Sequence, residues 1–316
     1  PRQSRFQDTS FLGLKDLHGF SEMKQPLIER LAVIGVGLIG GSFALALKRA
    51  GVVGEVVGIG RSRANLDAAL ELGIADSVTD DAAAGVQDAD LIFLATPVLT
   101  MGRVTEAILA HIREGAVLTD AGSVKAEVVR QVEPLLPPHV HLVPGHPIAG
   151  TEKSGAAAAF ATLFQNRNCI LTPTPRTDPR ALALVTKLWE LAGSRVVLMD
   201  ADRHDRVLAA ISHLPHMVAY ALVNAVSSCE RFQENILEYS AGGFRDFTRI
   251  ASSDPVMWRD IALTNREALL EMMACFETFF AELKADIAAG NGERLREFFA
   301  RSKARRDAIV TPKEIP

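Results

Sequence analysis

The feature that most constrains the fold is an alternation between Leu31 and Asp200. Uninterrupted apolar runs rich in β-branched residues, "LAVIGV", "EVVGIG", "LIFLATP" and "AVLTDAG", are separated by segments of helical period. Those segments are "GGSFALALKRAG", "SRANLDAALELG", "MGRVTEAILAHI" and "SVKAEVVRQVEPLL". A strand apolar on both sides is covered on both faces, and strands that alternate with helices pair in parallel. Two later runs, "NCILTP" and "SRVVLMD", flank the helix "DPRALALVTKLWELAG" and are expected to extend the same sheet.

After Asp200 the strand pattern stops. One long helical stretch follows, broken at Pro215. A second runs from "SDPVMW" to Gly290, and "NGERLREFFARSKARRDAIV" is the third. The expected organisation is an N-terminal extension over 1–23 (a tag or disordered arm), an α/β domain over 24–199, and an all-helical domain over 200–316. The helical part has more apolar residues per turn than a thin bundle on a monomer would bury. A homodimer joined through it is therefore expected.

Gly35, Gly37 and Gly40 form G-x-G-x-x-G between the first strand and the first helix. In a Rossmann-type dinucleotide site the first glycine permits the tight turn. The second lets the backbone approach a pyrophosphate, and the third lets helix and strand pack closely. Leu38 and Ile39 sit between these glycines, where helix N–H groups face the phosphates. Such a site places a carboxylate on the ribose about 20 residues later. Here the second strand ends "GIGRSR", with Gly60 in that place and Arg61, Ser62 and Arg63 after it. Guanidinium groups and a hydroxyl suit a 2′-phosphate. The expected cofactor is NADP, with NAD as the second choice. Thr96 and Pro97, after a later strand, are expected on the same site.

A net charge of -4 over 316 residues gives no basic footprint for nucleic acid. No apolar run is expected to be long enough for a membrane helix, and residues 1–30 lack a signal-peptide core. The three scattered cysteines, Cys169, Cys229 and Cys275, have no metal-ligand spacing and fit a reducing cytoplasm.

Polar residues gather in loops at the carboxyl ends of later strands, where open α/β sheets bind ligands. They are Asp120, Ser123 and Lys125 in "TDAGSVK", and His146 with Thr151 and Glu152 in "GHPIAGTEKSG". His146, read as a loop residue, suits the proton of a carbinol hydroxyl during hydride abstraction. No metal is called for.

The segments "VIGVGLIGGS", "DAGSVK", "GHPIAGTEKSG", "HDRVLAAISHLPH" and "GGFRDFTRIASSDPVMWRDI" resemble the prephenate/arogenate (cyclohexadienyl) dehydrogenases of tyrosine synthesis, from about Leu31 to Ile261. The resemblance implies an oxidative decarboxylation. Hydride leaves C4 of the cyclohexadienyl ring for a nicotinamide, carbon dioxide leaves C1, and the ring becomes aromatic. It implies that His146 is the catalytic histidine and that Ser123 contacts both hydroxyl and nicotinamide. Thr151, Glu152, His213, His216 and Trp258 would line the substrate pocket, and Arg249 would bind a carboxylate. Asp205 would face the group that distinguishes arogenate from prephenate. With no room after Val310 for a regulatory domain and no chorismate-mutase segment before the turn, tyrosine would inhibit by competition. Two other readings of the same residues are a β-hydroxyacid dehydrogenase of similar plan and a nucleotide-sensing Rossmann protein without catalysis. The first usually relies on a lysine in its helical domain. The second would not need His146, Ser123 and Arg249 together.

Overall fold

A computed structural model describes residues 26–151, 153–228 and 236–310. The extension expected over 1–23, Glu152 and Cys229 therefore lie outside the described residues. The chain opens β1 (Ile28–Ile34), α1 (Leu38–Ala50), β2 (Val53–Ile59), α2 (Arg63–Glu71), β3 (Ser77–Thr79), α3 (Ala82–Gly85) and β4 (Leu91–Leu94). It continues through α4 (Met101–Ile108), β5 (Val117–Asp120), α5 (Lys125–Val132) and β6 (His141–Val143). These strands form a sheet of order β3-β2-β1-β4-β5-β6, parallel throughout. That order reverses between β1 and β4, which opens a crevice at the carboxyl ends of both strands.

Strand alternation loads both faces. Leu31, Val33, Leu91 and Phe93 meet α1 and the later helix over Pro179–Leu191 on one side, and Ala32, Ile34, Ile92 and Leu94 meet α4 and α5 on the other. The first face is anchored by Phe43, Phe93, Phe164 and Trp189, with neighbouring ring centroids 4.4–5.9 Å apart. Aromatic contacts of this kind contribute beyond the area they bury.

β7 (Gly145–Pro147), β8 (Asn168–Leu171), α6 (Pro179–Leu191) and β9 (Arg195–Leu198) come next. Contrary to the sequence expectation, β8 and β9 do not extend the first sheet; they join β7 in a separate sheet of order β7-β8-β9. Pro144, directly after β6, has no N–H to continue a ladder. The Gly145 N–H instead turns to the Asp120 carboxylate at 3.0 Å, and the Thr172 N–H reaches the Pro144 carbonyl at 2.9 Å. His146 is thereby a strand residue paired with Ile170, not a loop residue.

The rest is helical among the described residues: α7 (Ala201–Leu208), α8 (Leu214–Ser227), α9 (Gly242–Thr248), α10 (Pro255–Thr264), α11 (Arg266–Ala288) and α12 (Gly292–Val310). Pro215 does not break the first stretch. A π-turn over Ala209–His213 absorbs the amide that proline lacks, and helix continues from Ala201 to Ser227. This corrects the expectation about membrane helices, because those 27 residues are long and apolar enough to cross one by length and composition. The buried His204, Asp205 and His213 on it instead bind other elements of the fold. The second expected helix is two, divided at Asn265, whose buried side chain turns inward. Along α11 and α12 an apolar face stays exposed, including Leu270 (54%), Phe280 (59%), Ile287 (61%) and Phe299 (55%).

Candidate active site

The glycine turn is shaped as its sequence requires. Gly35 has φ +100°, the left-handed region that side chains disfavour. A Cβ on Gly40 would collide with the Gly35 carbonyl oxygen and approach Val33 to 2.8 Å, whereas one on Gly37 would meet nothing within 4 Å. The space over Gly37 is where a phosphate would sit. Leu38 and Ile39 turn their side chains toward the core, so they can serve a dinucleotide only through the first amides of α1. No side chain caps that helix end. Thr96, opposite Gly35, buries a hydroxyl without a partner among the described residues, and Pro97 beside it is exposed. Open space, uncapped amides and an unpaired hydroxyl fit a dinucleotide.

At the end of β2, Arg63 is paired with Asp67 at 2.7 Å. The Ser62 hydroxyl accepts the Asn65 N–H and caps α2. All three residues expected to bind a 2′-phosphate are exposed, and of the two arginines Arg61 is the one that makes no ion pair among the described residues.

The second constellation is built on two buried carboxylates. Asp120, at the end of β5, accepts N–H bonds from Gly122 (2.7 Å), Gly145 (3.0 Å) and the Lys125 ammonium. Lys125 also donates to the Gly145 carbonyl at 2.7 Å, so both backbone groups of Gly145 are fixed beside His146. Burial pulls the Lys125 pKa below its usual value against the attraction of Asp120. Asp205 reaches across from α7 to the start of α5, accepting from the Lys125 N–H (2.7 Å) and the Ala126 N–H (2.9 Å). Ser123, half-buried, lies in the turn clamped between these contacts.

Asp205, expected beside the group that distinguishes arogenate from prephenate, has its carboxylate engaged within the protein: Oδ1 also contacts His204 Nδ1 at 2.7 Å and Oδ2 accepts from Ala126. It is a helix cap supplied by another helix. His204 in turn lies 2.8 Å from His146 Nδ1 through Nε2. His204, Asn265 and the clamping role of Lys125 are not singled out by the sequence motifs. An adjacent His-Asp pair in the first turns of a helix was the available signal for the first.

His213 and His216 both meet Trp258, the first edge-on at 6.0 Å and the second stacked at 3.7 Å. Trp258 also packs on Val124, next to Ser123. Asn265 holds His213 Nδ1 at 3.0 Å and the Asp205 carbonyl at 2.8 Å. His213 Nε2 and Trp258 Nε1 are buried without hydrogen-bond partners among the described residues, which leaves two polar atoms free to meet a ligand. Thr151 and Arg249 line one cleft of about 410 Å³ with Ala149 and Arg167. Arg249 is exposed there, and its charge acts on His216. The fold therefore gathers His146, Ser123, His213, His216 and Trp258, with Thr151 and Arg249 on the adjoining cleft.

Burial sets the charge state of the histidines. It holds His146 well below the usual imidazole range, with His204, Lys125 and His213 adding repulsion. It also lowers His204 and His216, and brings His213 down to about 4. These rings accept protons more readily in the unfolded chain. Stability therefore falls as pH drops from about 6.5 and levels off once the folded pKa is passed. His213 alone accounts for about 3 kcal/mol between pH 6.5 and 4. Urea denaturation across this range, at one protein concentration, should show the loss. His213→Asn should flatten it, and an unchanged slope would mean that His213 is not held neutral.

Residues 43–198 match the nucleotide-binding domain of prephenate dehydrogenase, and residues 200–301 match its dimerization domain. A cyclohexadienyl dehydrogenase of Zymomonas mobilis is 41% identical over 92% of this chain and 99% of its own length. The crystal structure of A. aeolicus prephenate dehydrogenase, in complex with hydroxyphenyl propionate and NAD+, superposes with a TM-score of 0.83. It is 38% identical, covering 89% of this chain and 98% of that one. Synechocystis arogenate dehydrogenase superposes with a TM-score of 0.74 at 30% identity, covering 89% of this chain and all of that one. With the parallel sheet, the open glycine turn and the histidine cluster at its edge, these matches place the chain in the prephenate dehydrogenase family, as a dehydrogenase that uses a nicotinamide cofactor.

Proposed function

We propose that this chain converts prephenate, arogenate or both to 4-hydroxyphenylpyruvate or tyrosine, with NADP preferred to NAD. The observation that carries the reading is His146: a neutral imidazole on β7, fixed by its backbone and ring at the carboxyl end of the sheet. The nicotinamide, when bound, supplies the acceptor for the hydride from ring C4. His146 takes a share of the C4 hydroxyl proton, which raises electron density at C4 as the hydride departs. Ser123 holds the same hydroxyl. The C1–carboxylate bond breaks, its electron pair enters the ring, carbon dioxide leaves and the proton returns to the phenolic oxygen. Arg249 binds a substrate carboxylate, and Thr151, His213, His216 and Trp258 line the pocket. Glu152 is assigned to the same pocket by resemblance alone. The reading divides the chain into a dinucleotide domain over 24–199 and a helical domain over 200–316. It places the enzyme in the cytoplasm, in keeping with the free thiols of Cys169 and Cys275.

The exposed apolar face of α11 and α12 supports a homodimer as the working form, since a solvated face of this kind costs free energy that a second copy removes. Light scattering at micromolar concentration should give the mass of two chains. A monomer would count against the dimer.

The reaction is tested by following reduced cofactor with prephenate and arogenate, each crossed with NAD and NADP. His146→Asn should lower kcat by about 100- to 10,000-fold while cofactor binding survives. Turnover within a few-fold of the parent removes His146 from this role.

The same crossed assay tests cofactor choice. A single charge-assisted bond from Arg61 to the 2′-phosphate is worth about 1.5–3 kcal/mol, or about tenfold and more in kcat/KM. Gly60→Asp with Arg61→Ala should reverse the order. A Cβ at position 60 would lie 3.3 Å from the flexible end of Leu66, so the side chain can be accommodated. A parent enzyme that prefers NAD would show that Arg61 is not a phosphate ligand.

A further inference from the structure

We propose that His204 is a positioning residue that fixes His146 in the tautomer with its proton on Nδ1, leaving Nε2 as the bare, reacting nitrogen. The proposal deepens the reading of His146 as the proton acceptor and rests on it. It follows from the direction of three hydrogen bonds. Asp205 receives N–H bonds from the backbone of Lys125 and Ala126, groups that can only donate. Its carboxylate thus serves as an acceptor, and the third contact, at 2.7 Å from His204 Nδ1, is a donation by His204. Fully buried and held below its usual pKa by that burial, His204 is neutral and has one N–H, already committed to Asp205. Its Nε2 is therefore a lone pair. His146 Nδ1 lies 2.8 Å from that lone pair and must donate to it. A neutral His146 with its proton on Nδ1 has none on Nε2.

The surroundings leave no competing partner in the described structure. The charged and titratable groups acting on His146 are His204, Lys125 and His213. Those acting on His204 are Asp205, Lys125 and Asp120. Lys125 is spent on Asp120 and the Gly145 carbonyl. His213 Nδ1 is held by Asn265. The relay also serves during the reaction. As His146 takes up the substrate proton, its Nδ1–H bond to His204 strengthens, and Asp205 stabilises the charge through the second ring. Orientation of a catalytic imidazole by a hydrogen-bonded partner is a general device, and the wrong tautomer alone can remove most of the rate.

The first measurement needs no variant. In the parent enzyme, with 15N-labelled histidine near pH 7.5, His146 should show a protonated Nδ1 and a bare Nε2; its signals are assigned by their loss in His146→Asn. The opposite tautomer overturns the proposal. Then two substitutions separate the ends of the His204 ring. His204→Asn keeps an amide near Nδ1, for Asp205, but does not reach His146. His204→Gln extends its amide oxygen to the place of Nε2. His204→Asn should lower kcat at least about tenfold, with the substrate KM within threefold, and shift His146 toward the Nε2–H form. His204→Gln should restore a good part of both kcat and tautomer. Unchanged kcat, a fall without a tautomer change, or no rescue by glutamine overturns it. If instead His146→Asn is fully active while the tautomer is as expected, the assignment of His146 as proton acceptor fails and the relay geometry stands.

Discussion

The carboxylate of Asp205 is the interaction on which the site depends. It joins the helix that begins the all-α part to the N-terminus of α5, and so joins the two halves of the chain next to the chemistry. Three donors meet it: two amides with no intrahelical partner and the His204 ring. A buried carboxylate is tolerable only when so fully satisfied, and each charge-assisted bond of this type contributes about 1.5–3 kcal/mol. What it fixes is a sequence of positions. Ser123 precedes the capped amides, and His146 hangs from the ring that the carboxylate orients. Asn265 ties the Asp205 carbonyl to His213 from the opposite side.

Asp120 performs the complementary task from the sheet. It holds the Gly122 and Gly145 amides and the buried Lys125, whose ammonium returns to the Gly145 carbonyl. The strand carrying His146 is thus clamped at the backbone by one carboxylate and at the side chain, through His204, by another. Removing either partner of the Lys125–Asp120 pair would leave an uncompensated buried charge, which is costlier than the pair itself. Neutral histidines beside this network follow from the same burial, because the low-dielectric environment penalises their charged forms.

The helical half answers a different constraint. Along α11 the buried residues are Leu269 and Asp286, and along α12 there are none, although both helices carry phenylalanines. Helices of this kind draw most of their stability from an apolar face buried on something else. The match of residues 200–301 to a dimerization domain is in keeping with the self-association proposed for that face.

The sequence by itself determined the doubly wound sheet, the glycine turn and the family. Each is encoded locally, in β-branched runs, in glycines at fixed spacing and in short motifs around His146 and Arg249. The tertiary structure decided what depends on contacts between distant residues. Pro144 diverts the chain so that β8 and β9 build a second sheet with His146 on its first strand, an outcome that strand propensity does not encode. Pro215 reads as a break but is absorbed by a π-turn, in which the Leu214 N–H bonds the Ala209 carbonyl and the His216 ring meets the Ser212 carbonyl. Asp205 and Lys125 lie 80 positions apart, and only the fold shows that the carboxylate caps a helix of the other half. His204 is one histidine among 8 in the sequence; its role rests on which nitrogen meets which neighbour, and that is fixed by packing alone.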